Sequence, residues 1–72
     1  MSSMKICLGK TLKELRKANG KTQQQIADDL GISRVNYTRY ETGASNPDYE
    51  TLIIIADYFD VSLDYLFGRT SI

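Results

Sequence analysis

The feature that most constrains this chain is a glycine, Gly31, set between two short helical patterns in Gln23 to Glu41, QQQIADDLGISRVNYTRYE. Glycine enters the left-handed conformation without a Cβ penalty, so a helix can end at Leu30 and the chain can turn sharply. Ser33 is a favoured N-cap and predicts that a second helix begins at once. Ala27 is small and lies in mid-helix, where a second helix crossing steeply needs close approach. Ile26, Leu30, Ile32, Tyr37 and Tyr40 supply one shared inner face for both helices. The rest of the chain is organised around these two helices, hinged on Leu30-Gly31-Ile32-Ser33.

At about 100° per residue, Tyr37 and Tyr40 point inward from the second helix, and Arg34, Val35, Thr38 and Arg39 occupy the opposite arc. That outward set suits the base edges of a DNA major groove. Arginine pairs bidentately with guanine, and a valine or threonine methyl touches a thymine methyl. An ordinary solvated face with two arginines is the plainer alternative; the hinge and Ala27 weigh against it.

Length and composition set the outer bounds. A chain of 72 residues holds one domain and a modest core that buries roughly 60% of the unfolded surface. Net charge is zero, which taken alone argues against nucleic acid, but the charges are unevenly placed. Residues 1–43 carry eight Lys or Arg against four acids, and residues 44–72 carry one Arg against five. A chain polarised in this way can offer a positive face to phosphates while its far side stays acidic. The single cysteine, Cys7, and the absence of histidine leave no internal disulfide and no expected metal site, consistent with a cytoplasmic chain that needs no cofactor. Cys7 itself reads as a small hydrophobe at the core edge. The longest apolar run, Leu52 to Ala56, is too short to span a membrane. Acids scattered along helix surfaces give no acid–base or nucleophile pairing, so an enzyme is not expected.

In chain order, residues 1–7 read as a flexible start, 8–68 as the domain and 69–72 as a tail. Leu8, Leu12, Leu15 and Ala18 follow helical spacing in a first helix closed by Asn19-Gly20. Thr22 with Gln25 forms a capping-box pattern for the second helix. Gln23 and Gln24 fall in its first turn, where unpaired N–H groups and the helix dipole favour a DNA phosphate; they are equally good plain helix formers. The loop from Thr42 to Pro47 is rich in small polar residues that suit a sugar-phosphate contact or a simple connector. Asp48 opens a fourth helix with a core stripe of Leu52, Ile55, Ala56 and Phe59, while Ile54 and Tyr58 lie on another face as a candidate partner surface. Ser62 caps a last short helix built on Leu63, Leu66 and Phe67 and stopped by Gly68, and these three residues extend the candidate dimer or partner surface. The chain is either a small regulator in itself or a piece of something longer.

Leu15-Arg16, Thr22-Gln23 with Ala27, Gly31-Ile32-Ser33, Tyr37 to Glu41, Gly43 with Asn46-Pro47, and Val61 to Leu66 together resemble the lambda-repressor-like helix-turn-helix domain, the Cro/C1 or Xre family of bacterial and phage regulators. The resemblance spans Leu8 to Gly68. It implies an all-α bundle of five helices, with the third helix in the major groove and the second across the backbone. It also implies an ion pair between Arg16 and Glu41. Tyr37 stands where an aliphatic residue is usual, so its hydroxyl is expected to reach water or a phosphate; Ile54 stands where lysine is usual. The expected regulator is a homodimer on a palindromic double-stranded operator. Arg34, Val35, Thr38 and Arg39 would read bases, and Gln23, Gln24, Asn36, Tyr37 and Thr42 would touch phosphates. The alternative is an antitoxin or bridging module that holds a protein partner on its acidic half.

Overall fold

The computed structural model describes residues 8–69, and five helices make up its regular structure: α1 (Leu8–Ala18), α2 (Gln23–Leu30), α3 (Arg34–Thr42), α4 (Tyr49–Phe59) and α5 (Leu63–Leu66). No strand occurs among the described residues. The expectations for residues 1–7, Cys7 among them, and for the end of the tail lie outside the described residues.

Local chemistry sets the helix starts. Thr22, Ser33, Asp48 and Ser62 each hold extended backbone, and each side chain accepts the N–H three residues on, from Gln25, Asn36, Thr51 and Tyr65. At Thr22 the bond is reciprocal, since the Gln25 side chain accepts the Thr22 N–H at 2.9 Å. Such caps satisfy N–H groups that a helix cannot pair internally, at about 1 kcal/mol each.

The hinge is as direct. Gly31 lies in the left-handed region with φ 76°. The Ile32 N–H then reaches back to the Ala27 carbonyl at 3.0 Å and the Gly31 N–H to that of Asp28 at 3.2 Å, which closes α2. The same pair of bonds closes α4, from Val61 to Ala56 and from Asp60 to Asp57. There the left-handed residue is Asp60, φ 58°, an aspartate doing what glycine does elsewhere.

The core joins all five helices through Leu8, Leu12, Ile26, Ala27, Tyr37, Ile55, Ala56 and Leu66. Each large aliphatic side chain taken fully out of water contributes about 1.5–3 kcal/mol. Helix α3 packs chiefly on α1 and α2, while α4 and α5 close the other side. Two positions on α1 differ from the helical-spacing expectation. Ala18 is exposed, and Thr11 is buried beside Leu12. Gly9 marks a tight approach between two helices. A Cβ there would overlap the Glu41 carbonyl oxygen and lie 3.0 Å from that of Tyr40, so the start of α1 sits directly against the end of α3.

Candidate nucleic-acid interface

Helix α3 has one face committed to the interior and one left open. Tyr37 is fully buried and Tyr40 packs half-buried against the core. Opposite them Arg34, Asn36 and Arg39 are exposed, and Val35 is 61% exposed. Among the described residues neither Arg34 nor Arg39 forms an ion pair. Both guanidinium groups are therefore uncommitted. Thr38, half-buried, stands at the edge of this face nearest α2.

Behind the open face lies a hydrogen-bonded network. The Arg16 guanidinium donates to both Glu41 oxygens, Nε to Oε2 at 2.7 Å and Nη2 to Oε1 at 3.3 Å, and Nη1 donates to the Lys21 carbonyl at 3.1 Å. The Gln23 amide donates to Glu41 Oε1 at 3.0 Å, and the Thr38 hydroxyl donates to Gln23 Oε1 at 2.9 Å. The pair thus ties α1, the start of α2 and the end of α3 into one frame. Burial alone would raise the Glu41 carboxyl. The hydrogen bonds and charge of the Arg16 guanidinium, with the Gln23 amide, outweigh burial and hold it below its ordinary value.

The structure corrects one phosphate assignment. Tyr37 is entirely buried, and its hydroxyl lies next to Arg16 and Glu41 with no group in hydrogen-bonding geometry. It cannot reach a phosphate. Burial first, and then the neighbouring carboxylate, hold its phenol protonated. The ring that fills the place of an aliphatic residue is long enough to carry its hydroxyl into the ion pair rather than out to solvent.

The other phosphate candidates differ in what they still offer. Gln24 is bonded within its own helix to Asp28 at 2.8 Å. Gln23 has one amide hydrogen left beyond its bond to Glu41. The Asn36 side chain is exposed. The Thr42 hydroxyl donates to the Arg39 carbonyl at 3.3 Å at the end of α3, beside Gly43 with φ 83°.

The candidate partner surface is rearranged. Leu66, the last residue of the four-residue α5, is fully buried and is a core residue. Leu63 and Phe67 are half-buried. Tyr58 is tied down: its hydroxyl donates to Asp29 on α2, and its ring meets Phe59 edge-on with centroids 4.9 Å apart. The Asp29 carboxylate raises the Tyr58 phenol to about 12. Ile54 is exposed as expected, and it is joined by Ile53 and Tyr49, which had not stood out because α4 is apolar on nearly every side.

Two short helices joined through a left-handed glycine, the second with a charged open face, define a helix-turn-helix unit. The sequence profile of the helix-turn-helix family matches residues 12–66, and this chain belongs to that family in its Cro/C1-type form. It is 58% identical over 55 residues to the HTH-type transcriptional regulator YqaE of Bacillus subtilis, covering 76% of this chain and 47% of that protein. It is 50% identical over 54 residues to the cryptic phage CTXphi transcriptional repressor RstR of Vibrio cholerae, covering 75% and 48%. The chain thus spans about half the length of these relatives. Its backbone superposes on a transcriptional regulator from Listeria innocua with a TM-score of 0.81 at 35% identity, covering 88% of this chain and 59% of that one. The same score relates it to the P22 c2 repressor solved with a synthetic operator, at 24% identity and covering 88% and 96%, a likeness of fold. No helix among the described residues is long and apolar enough to cross a membrane.

Proposed function

We propose that this chain is a sequence-specific, double-stranded DNA-binding transcriptional regulator, a repressor, that docks α3 in the major groove of a palindromic operator as a homodimer. The observation that carries the reading is the open face of α3. Arg34, Val35 and Arg39 stand free on a helix whose rear is anchored by Tyr37 and by the Arg16–Glu41 pair. In a groove, Arg34 and Arg39 take guanine O6 and N7, Val35 takes a thymine methyl, and Thr38 adds a hydroxyl and a methyl. The remaining Gln23 amide hydrogen and the start of α2 face a phosphate, and Asn36 and Thr42 on α3 take further phosphate contacts. A two-fold pair of chains places its half-sites about one helical turn apart. Occupying a promoter then blocks transcription, the activity named for the relative RstR.

Selection from a pool of random duplexes tests this reading. Enrichment of a palindrome supports it, and failure to enrich any sequence overturns it. A protein-interaction module remains the second reading, favoured by the exposed Ile53 and Ile54 and by 44% identity over 62 residues to the antitoxin PezA of Streptococcus pneumoniae, covering 86% of this chain and 39% of that one. Co-purification of a stoichiometric protein partner would support it.

A further inference from the structure

The network behind α3 has a direction, and the direction bears on what Thr38 can read. Glu41 is an ionised carboxylate paired with Arg16 at 2.7 Å, and an ionised carboxylate only accepts hydrogen bonds. The Gln23 group 3.0 Å from Glu41 Oε1 must therefore be the NH2 end of the amide. This settles an orientation that heavy-atom positions alone leave open. The carbonyl end, Oε1, is then the atom 2.9 Å from Thr38 Oγ1. A carbonyl oxygen only accepts, so Thr38 must donate its one hydroxyl hydrogen to Gln23.

We infer that Thr38 meets DNA solely as a hydrogen-bond acceptor and selects a base with an exocyclic amine at its position in the operator half-site, adenine through N6 or cytosine through N4. This rests on the regulator reading above and extends it to the base class. In the major groove adenine and cytosine offer a donor at that edge, while guanine O6 and thymine O4 offer only acceptors. A threonine with a free hydroxyl rotor would serve either kind. Here the charge on Glu41, two hydrogen bonds away, removes the choice. Arg34 and Arg39 carry only donors, so they read guanine and leave the complementary role to Thr38. A thymine preference carried by the Thr38 methyl is the opposing outcome, and the variants below separate the two.

The test uses the duplex enriched by selection, with every half-site position varied through all four base pairs and binding measured by competition. Wild-type protein should show a position where adenine or cytosine is preferred over guanine or thymine by about fivefold, the size of one ordinary hydrogen bond. Thr38→Val should flatten that position to within about twofold and leave the guanine positions unchanged. Thr38→Ser should keep the preference. Gln23→Met leaves Glu41 with Arg16 but frees the Thr38 hydroxyl, and should broaden the same position to accept guanine or thymine. Circular dichroism confirms that each variant is folded, and Thr38→Ser retains the test should Thr38→Val not fold. A thymine preference kept by Thr38→Val and lost by Thr38→Ser would overturn the inference. So would a donor-base preference that survives Gln23→Met or Thr38→Val. A palindrome enriched with no such position refutes this inference alone, whereas no enrichment at all refutes the regulator reading beneath it.

Discussion

Replacing Arg16 by alanine should cost this domain about 3 kcal/mol at neutral pH, the lower end of the range for breaking a buried ion pair. The lower end applies because the Arg16 side chain is 14% exposed and Glu41, only 3% exposed, would keep the Gln23 amide as a partner. A chain of 72 residues has a total stability of about 4–11 kcal/mol, so the variant loses between a quarter and most of it. The melting temperature should fall by about 12–24 °C. The loss should also depend on pH, with a definite sign. The Glu41 carboxyl is held below its ordinary value of 4.5, so the stability it contributes is fully present above about that pH and fades as pH falls through the lowered value. Urea unfolding followed by circular dichroism, at pH 7 and at pH 3, measures both quantities. The difference between wild type and Arg16→Ala should be large at pH 7 and smaller at pH 3, since the carboxylate that Arg16 pairs with is lost as pH falls. A loss below about 1 kcal/mol at pH 7, or an equal loss at both, would refute the assignment of this pair as the tie between α1 and α3.

Other consequences follow from single positions. Tyr37→Phe removes a buried hydroxyl that has no hydrogen-bond partner, so stability should change by no more than about 1 kcal/mol and DNA affinity should not change; a loss above about 2 kcal/mol would mean that the hydroxyl is bonded to Glu41. Gly9→Ala gains about 1 kcal/mol of helix propensity, yet overpacks against the backbone of Glu41 at about 1–3 kcal/mol; thermal melts should show a net loss, and a rise in melting temperature would contradict the close approach. Thr22→Ala removes the hydroxyl that accepts the Gln25 N–H while keeping the backbone N–H that the Gln25 side chain accepts, and should cost about 1 kcal/mol. Ile54→Lys alters a side chain that is 51% exposed and should leave stability within about 0.5 kcal/mol.

Much of this architecture was legible in the residues, because the signals are local. Thr22, Ser33, Asp48 and Ser62 each cap the helix they precede, and Gly31 turns the chain where a left-handed residue is required. Ion pairing of Arg16 with Glu41 came only from the family resemblance, since two residues 25 apart leave no periodic trace. What periodicity could not resolve was the third dimension. It gives a helix an apolar side but does not say how far a neighbour extends along it, hence Ala18 exposed and Thr11 buried. On α4, with isoleucines at three successive positions, it cannot separate exposed Ile53 and Ile54 from buried Ile55. In α5, four residues long, there is barely one turn to average over, and Leu66 reads as surface when it is core. Tyr37 failed for another reason: a phenol hydroxyl suggests solvent, but the ring ends inside the frame formed by Arg16 and Glu41. The Gly9 approach was missed because a glycine in a first turn carries no mark of the carbonyl it faces. Within the candidate interface the outward placement of Arg34, Val35 and Arg39 agrees with helical geometry. The bonds from Thr38 to Gln23 and from Gln23 to Glu41 needed coordinates.

The central claim is that α3 reads base edges, and one titration tests it most directly. Wild type and Arg39→Ala are each titrated with the selected duplex and with a scrambled duplex of equal length and composition, across a salt series. Loss of one bidentate guanine contact, about 1–3 kcal/mol, should weaken binding to the selected duplex by about 5- to 150-fold, and binding to the scrambled duplex far less. Equal weakening on both duplexes would make Arg39 a phosphate contact, and unchanged binding to the selected duplex would contradict base reading by this face of α3.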